Sequence, residues 1–212
     1  METLTAADLI DCLRVLADEM PAHQEELRAL DAQMGDGDLG ITVTLGMKGI
    51  GDGLAELRDA APGMILARSG MNFNRAAAST FGAIFATALM SAGKQLGDRE
   101  EITLADLPAM LEAAASGVSA RGGAKPGEKT ILDVLLPMAA AMKAEVAAGS
   151  DLRTAAGRMA EACRDALEAT KPMVGKHGRG GWLKEKSIGL PDPGSTAICL
   201  MVARFAQFVT ER

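Results

Sequence analysis

The sequence predicts an all-α fold, a single-domain barrel or bundle of about eight antiparallel amphipathic helices with its chemistry in the loops at one end. Three observations predict it. Apolar residues recur at helical spacing through most of the 212 residues. Aromatic residues make up only 3% and tyrosine is absent, so a 48% hydrophobic content must build its core from Ala, Leu, Met, Ile and Val, a mixture that favours helix over strand. No segment shows a convincing run of period-two alternation.

The elements follow in order. Thr5 to Asp8 opens the first helix, whose apolar positions Leu9, Leu13, Leu16 and Met20 repeat at helical spacing until Pro21 breaks it. A short second helix runs to about Leu30. A third extends from about Ile41 towards Leu57, weakened by Gly46, Gly49 and Gly51, and a short one follows Pro62. Two stronger helices cover roughly Asn74 to Lys94 and, after a Thr103 cap, Leu104 to Val118. Thr130 to Val146, Asp151 to Thr170 and Ser195 to Val209 complete the set. No linker rich in Pro, Gly or Ser and no solenoid-period repeat interrupts the chain, so residues 1–212 are read as one domain.

The formal net charge of −6 argues against nucleic-acid binding, which needs basic surface to neutralise phosphates. Cys12, Cys163 and Cys199 are odd in number, far apart and without metal-ligand spacing. They read as small buried apolar residues in a reducing compartment. Glu2, Asp8 and Asp11 stand where a signal peptide would need an apolar region, and the longest apolar run, Phe81 to Ala92, is too short to span a bilayer. A soluble cytoplasmic protein is the expectation.

The most informative segment is Met34-Gly35-Asp36-Gly37-Asp38-Leu39-Gly40-Ile41-Thr42, with Asp31 just upstream. Like charges packed this closely repel and raise one another's pKa values unless a cation sits among them. Oxygen-only ligands point to Mg²⁺ or Ca²⁺ rather than zinc. The Gly35-x-Gly37-x-x-Gly40 spacing matches the dinucleotide fingerprint, yet no β-branched strand precedes it and two aspartates in the turn would repel a bare pyrophosphate. A calcium loop starting at Asp36 fails as well, because Met47 falls where the bidentate glutamate belongs. The plainer alternative is that the aspartates cap helices and shape a turn.

Three further segments share this loop character: Ala76 to Gly82, Ser119 to Thr130, and Gly178-Arg179 through Asp192-Pro193-Gly194-Ser195-Thr196. If consecutive helices are antiparallel, helix-separated loops gather at one end and a single site draws on all four. Gly122-x-x-x-x-Gly127 nearly spells a P-loop, but Glu128 is inserted before Lys129-Thr130 and no strand feeds it. Glycine-rich backbone at a helix start, hydroxyls at Thr42, Ser79 and Thr80 and the Arg179 guanidinium nonetheless suit phosphate oxygens. The alternatives are helix capping or packing for Ser79 and Thr80, and a solvated surface charge for Arg179 and Lys129.

Taken together, three motifs carry a resemblance. Leu30-Asp31-x-x-x-Gly35-Asp36-Gly37-Asp38-x-Gly40, Pro126-Gly127-Glu128-Lys129-Thr130-x-x-Asp133, and Gly178-Arg179 with Glu185-Lys186-Ser187-Ile188-Gly189 and Asp192-Pro193-Gly194 resemble the L subunit, the nucleotide-binding domain, of dihydroxyacetone kinases. The resemblance spans essentially the whole chain. It implies an eight-helix barrel binding ADP or ATP across the loops at one end through two Mg²⁺ ions. Carried over, Asp31, Asp36 and Asp38 are the metal ligands. Leu39, Gly40, Ile41, Thr42, Ser79, Thr80, Gly122, Ile131, Arg179, Asp192, Pro193 and Gly194 are the nucleotide contacts, with Ile131 as an apolar wall.

The chain departs from the family at Leu39 and at Leu190-Pro191, where histidines are frequent, and at Ala76 to Ala78, where glycine is. These departures touch no metal ligand but leave the sugar open. Phosphoryl transfer asks mainly for positioning and charge neutralisation, and no ketone site is visible among the residues. The resemblance therefore implies a separate K subunit holding the hydroxyketone. In one branch a phosphocarrier of the phosphotransferase system recharges bound ADP, and in the other free ATP is the donor. A homodimer is a further assembly in view. Neither nucleic acid nor membrane is among the expected partners. His177 reads as a loop residue rather than a catalyst. The competing class is a nucleotide-dependent regulatory or adaptor module that kept the pocket and acts through protein contacts.

Overall fold

The structure, a computed structural model, describes residues 3–178, 181 and 184–212. Among these, nine α-helices account for most of the chain: α1 (Ala6–Glu19), α2 (Gln24–Asp31), α3 (Leu39–Gly53), α4 (Pro62–Ala76), α5 (Thr80–Leu96), α6 (Leu107–Gly122), α7 (Leu132–Ala148), α8 (Leu152–Ala169) and α9 (Pro193–Glu211). The expected all-α architecture is what the chain adopts.

Local chemistry sets the helix starts. At α1 the Thr5 hydroxyl accepts from the Asp8 N–H at 3.2 Å while the Asp8 carboxylate accepts from the Thr5 N–H at 3.0 Å, a reciprocal capping box. Asp151 caps α8 by accepting from Thr154 N–H, and Asp192 caps α9 by accepting from Ser195 N–H. Pro62, Pro108 and Pro193 sit in the first turns of α4, α6 and α9, where a missing N–H costs nothing.

Neighbours in sequence are neighbours in space. Each of α2 to α8 packs on the helix that follows it, and α9 returns to α1 and α2, closing the ring. The interior is filled by fully buried Leu27, Met47, Ile50, Ile65, Phe73, Leu132, Met138, Met142 and Leu152. Phe73 stands at its centre, edge-on to Phe85 with ring centroids 4.8 Å apart. Helix α3 comes close enough to this ring that a Cβ on Gly46 would lie 2.4 Å from it. Only glycine admits that approach.

Several expectations need correction. A two-stranded antiparallel ribbon exists: β1 (Thr3–Thr5) pairs with β2 (Glu101–Thr103), Leu4 opposite Ile102. Three residues per strand are too few to show alternation. The helix expected over Asn74 to Lys94 is two helices, because Ser79 leaves helical geometry and caps α5 by accepting from Gly82 N–H at 2.9 Å. The element after Pro62 is accordingly fifteen residues long, not short. The reading of all three cysteines as small buried apolar residues in a reducing compartment is overturned for two of them, since Cys163 on α8 and Cys199 on α9 form a disulfide. Cys12 remains a free thiol, buried as expected, and burial pushes its pKa up to about 12. Among the described residues no helix is long and apolar enough to cross a membrane.

Candidate functional site

The connections α2–α3, α4–α5, α6–α7 and α8–α9 meet around one cavity of about 780 Å³. These are the four loop segments singled out in the sequence, gathered at one end of the bundle as the antiparallel argument requires.

One side of the cavity is acidic. Asp31 ends α2, Asp38 is the residue before α3, and Asp36 lies in the turn between them. Each offers a carboxylate oxygen, and the three atoms lie within 4.8 Å of one another. The turn is tight because glycine permits it: Gly37 has φ +75°, and a Cβ on Gly35 would be 2.7 Å from an Asp31 oxygen. Asp31 Oδ2 accepts from Leu39 N–H at 3.2 Å, which locks the end of α2 to the start of α3. Desolvation and the neighbouring Asp31 charge push the Asp38 pKa above its ordinary value. Three carboxylates this close together form a donor set that suits a hard divalent cation.

The facing walls are of two kinds. The starts of α5 and α9 contribute Ser79, Thr80, Pro193 and Gly194, all on the lining. Helix N-termini present N–H groups without intrahelical partners, the arrangement that binds anions. The remaining wall is apolar: Phe81, Ile84, Val118, Ala124 and Ile131. A Cβ on Gly194 would fall 3.3 Å from the Ile131 side chain and 3.5 Å from Phe81, so this glycine keeps the slot between them open.

The loop before α7 is organised by Asp133, whose two carboxylate oxygens accept from Gly127 N–H at 2.5 Å and Thr130 N–H at 2.8 Å. Ser195 bridges that loop to α9, its hydroxyl 3.2 Å from the Thr130 carbonyl oxygen and 2.7 Å from the Asp192 carboxylate. Burial pushes the Asp192 pKa up to about 6, against its hydrogen bonds from Ser195. Lys129 is 4% exposed and is therefore no solvated surface charge. Burial depresses its pKa, with the Asp192 charge opposing.

The expected metal ligands Asp31, Asp36 and Asp38 are brought together, and Leu39, Ser79, Thr80, Gly122, Ile131, Asp192, Pro193 and Gly194 line the same cavity. Gly40, Ile41 and Thr42 do not. Gly40 packs against α2, the Ile41 side chain is 49% exposed and Thr42 is buried. Arg179 lies outside the described residues. The lining also includes Ile84 and Val118, whose helical spacing reads as core in the sequence, Met34, Phe81 and Ala124, which lie in the quoted loop segments without an assigned role, and Gly175 and His177 from the segment after α8.

Known proteins share this arrangement of sequence and fold. The family model described as the DAK2 domain matches residues 33–207. The chain is 28% identical over 204 residues to the PEP-dependent dihydroxyacetone kinase, ADP-binding subunit DhaL, of Escherichia coli (strain K12), across 96% of this chain and 97% of that protein. It is 33% identical over 192 residues to the L-erythrulose kinase of Pectobacterium atrosepticum, across 90% of this chain but only 32% of that protein. The crystal structure of the dihydroxyacetone kinase from C. freundii in complex with AMP-PNP and Mg²⁺ superposes with a TM-score of 0.70 at 21% identity, covering 98% of this chain and 34% of that one. This last likeness is one of fold. The chain thus spans nearly the whole of the E. coli subunit and about a third of the two longer kinases.

Proposed function

The chain belongs to the DAK2 domain family, whose model covers residues 33–207, and from that premise we propose that it is the nucleotide-binding subunit of a kinase for dihydroxyacetone or a related short-chain ketose. The observation that carries the reading is the convergence of Asp31, Asp36 and Asp38 within 4.8 Å at a cavity whose other walls are helix N-termini and an apolar slot. In the proposal two Mg²⁺ ions, when bound, neutralise the carboxylates and the nucleotide's phosphates together and draw charge from the terminal phosphoryl group.

The rest of the work falls to this chain's own groups. Ser79, Thr80 and the Asp192-Pro193-Gly194 turn sit where backbone N–H groups and hydroxyls hold phosphate oxygens. Ile131 and Phe81 flank a slot suited to the flat face of a base. Arg179 joins them as a phosphate partner on the strength of the sequence motif alone. Gly40, Ile41 and Thr42 lie off the lining, and their place among the contacts rests on the sequence motif alone. Positioning and charge neutralisation of this kind are what phosphoryl transfer mainly requires of a protein.

The sequence motifs account for metal and nucleotide, and none of them reads as a ketone site. The hydroxyketone is accordingly placed on a separate K subunit, to which this chain presents the terminal phosphate. The name of the E. coli relative includes PEP dependence, which supports a phosphocarrier that recharges bound ADP. The erythrulose kinase among the relatives widens the acceptor class to four-carbon ketoses. An adaptor acting only through protein contacts would leave the convergence of three carboxylates without a use.

Reconstitution tests the reading. The purified chain is mixed with candidate K subunits, three- and four-carbon ketoses, and either ATP or a phosphocarrier system. The chain alone is expected to phosphorylate no sugar, with activity appearing on adding the cognate K subunit. Rapid turnover of dihydroxyacetone by the chain alone would refute the split site. Calorimetry with Mg²⁺ and then with excess chelator tests the metal, and equal ADP affinity in both would refute it.

A further inference from the structure

Glu128 and Lys129, consecutive in the loop before α7, both reach across to the segment that follows α8. The Lys129 ammonium donates to the Met173 carbonyl at 3.1 Å and to the Ser187 carbonyl at 2.5 Å, 44 and 58 residues away in sequence. Glu128 grips the same segment three times, its carboxylate 2.5 Å from His177 Nε2 and 3.6 Å from the Lys176 ammonium and its main-chain oxygen 3.3 Å from Lys176 N–H. The Ser187 hydroxyl accepts from Gly175 N–H at 3.0 Å, joining the two ends of the segment to each other. Gly175, His177 and Gly178 line the cavity.

Lys129 is built for this task at a cost. It has φ +60°, the one non-glycine residue among those described in the left-handed region. A glycine would take that conformation freely, so the lysine side chain must offset the strain through what it binds. It is also buried, where an ammonium is tolerated only when hydrogen-bonded, and two carbonyl oxygens take two of its three donors. The Met173 carbonyl belongs to no helix or strand, and the Ser187 carbonyl stands at the end of a short 3-10 turn, Lys184–Ser187.

We propose that Glu128 and Lys129 form a clasp that fixes the Met173–Gly178 wall of the cavity and thereby sets how long a bound nucleotide stays. This positioning role rests on the nucleotide reading above. The clasp acts on dissociation rather than on encounter, because it holds a wall already formed in the free chain.

Two readouts test it on the full chain, hydrogen–deuterium exchange at the Gly175 and Lys176 amides and stopped-flow kinetics of a fluorescent ADP analogue with Mg²⁺. In K129M, and in K129G, which also relieves the backbone, both amides are expected to exchange faster and ADP to dissociate about tenfold faster or more, the loss of a hydrogen bond to a charged group, with association little changed. E128Q should move both readouts in the same direction by less. Unchanged exchange in a cooperatively melting K129M would overturn the clasp, and so would faster exchange with an unchanged dissociation rate. If K129M does not melt cooperatively, E128Q decides by the same two readouts. Failure of the wild-type chain to bind Mg–ADP would refute the nucleotide reading itself, and that result is seen before any variant is made.

Discussion

A methyl group on Gly40 would lie 2.0 Å from the main-chain oxygen of Gln24. Helices α2 and α3 therefore touch backbone to backbone just beyond the acidic turn. This contact and the Asp31–Leu39 hydrogen bond hold the two helix ends that carry Asp31 and Asp38. The spacing of the carboxylates is thus a consequence of helix packing as much as of the turn.

Gly40→Ala should separate these helices. No flexible side chain can yield, because the atoms met are the Gln24 carbonyl and, at 3.1 Å, the Arg28 nitrogen. Overpacking of this kind costs about 1–3 kcal/mol, and backbone contact places it at the upper end. Urea melts of the apo chain read the effect. A variant with the wild-type midpoint would show that the helices are not packed this closely.

The contrast with what could be read from the sequence is instructive here. Thr5 and Asp151 announce helix starts because a side-chain acceptor stands immediately before an apolar repeat. The start of α5 was hidden. Ala76 to Ala78 favour helix, and the Ser79 cap that interrupts them looks in sequence like a tolerated mid-helix serine. The acidic site was legible because its three charges fall within eight residues. The apolar slot was not, since Phe81, Ile84 and Val118 have the composition and spacing of core residues and differ from them only in facing the cavity. For Lys129 the alternative of a surface charge stayed open for a similar reason: its acceptors are carbonyls 44 and 58 residues distant.

Acid should weaken the α6–α7 loop before it unfolds the bundle. The His177 hydrogen bond, then the Lys125 N–H, depress the Glu128 pKa from 4.5 to about 2. The folded state binds the proton less readily than the unfolded one. The stabilisation is therefore fully present above about 4.5 and is lost as pH falls through about 2. Glu128→Gln removes this dependence. Melting temperatures of wild type and variant should converge across that window, and a gap that stays constant with pH would show that the Glu128 charge contributes nothing.

The Cys163–Cys199 disulfide closes a separation of 36 residues and staples α8 to the helix that begins at the Asp192 cap. On the chain-entropy account a loop of that length contributes about 3–4 kcal/mol. For a chain of 212 residues this corresponds to a fall of roughly 7–15 °C in Tm on reduction. Calorimetric scans with and without reductant, and of the Cys163→Ser, Cys199→Ser double variant, measure it. If reductant leaves the wild-type scan unchanged while mass spectrometry shows both thiols free, the staple carries no stability.

Asp36→Asn separates a metal ligand from a turn residue. Asparagine preserves the size of the side chain and turn-forming chemistry but removes one negative charge from a group of three. The apo variant is expected to melt cooperatively, so the effect is read in the liganded state. Wild type in Mg²⁺ with ADP at about a hundred times Kd gains about 2.7 kcal/mol and a corresponding rise in Tm. The variant should lose most of that rise. Arg179→Ala, which leaves the carboxylates intact and removes a charged hydrogen-bond donor, should weaken binding by about 1.5–3 kcal/mol without abolishing the metal dependence. Thermal melts of both variants in chelator and in Mg²⁺ with ADP distinguish the roles: full retention of the ligand-induced rise by Asp36→Asn would make Asp36 a turn residue only, and the metal site would have to be redrawn.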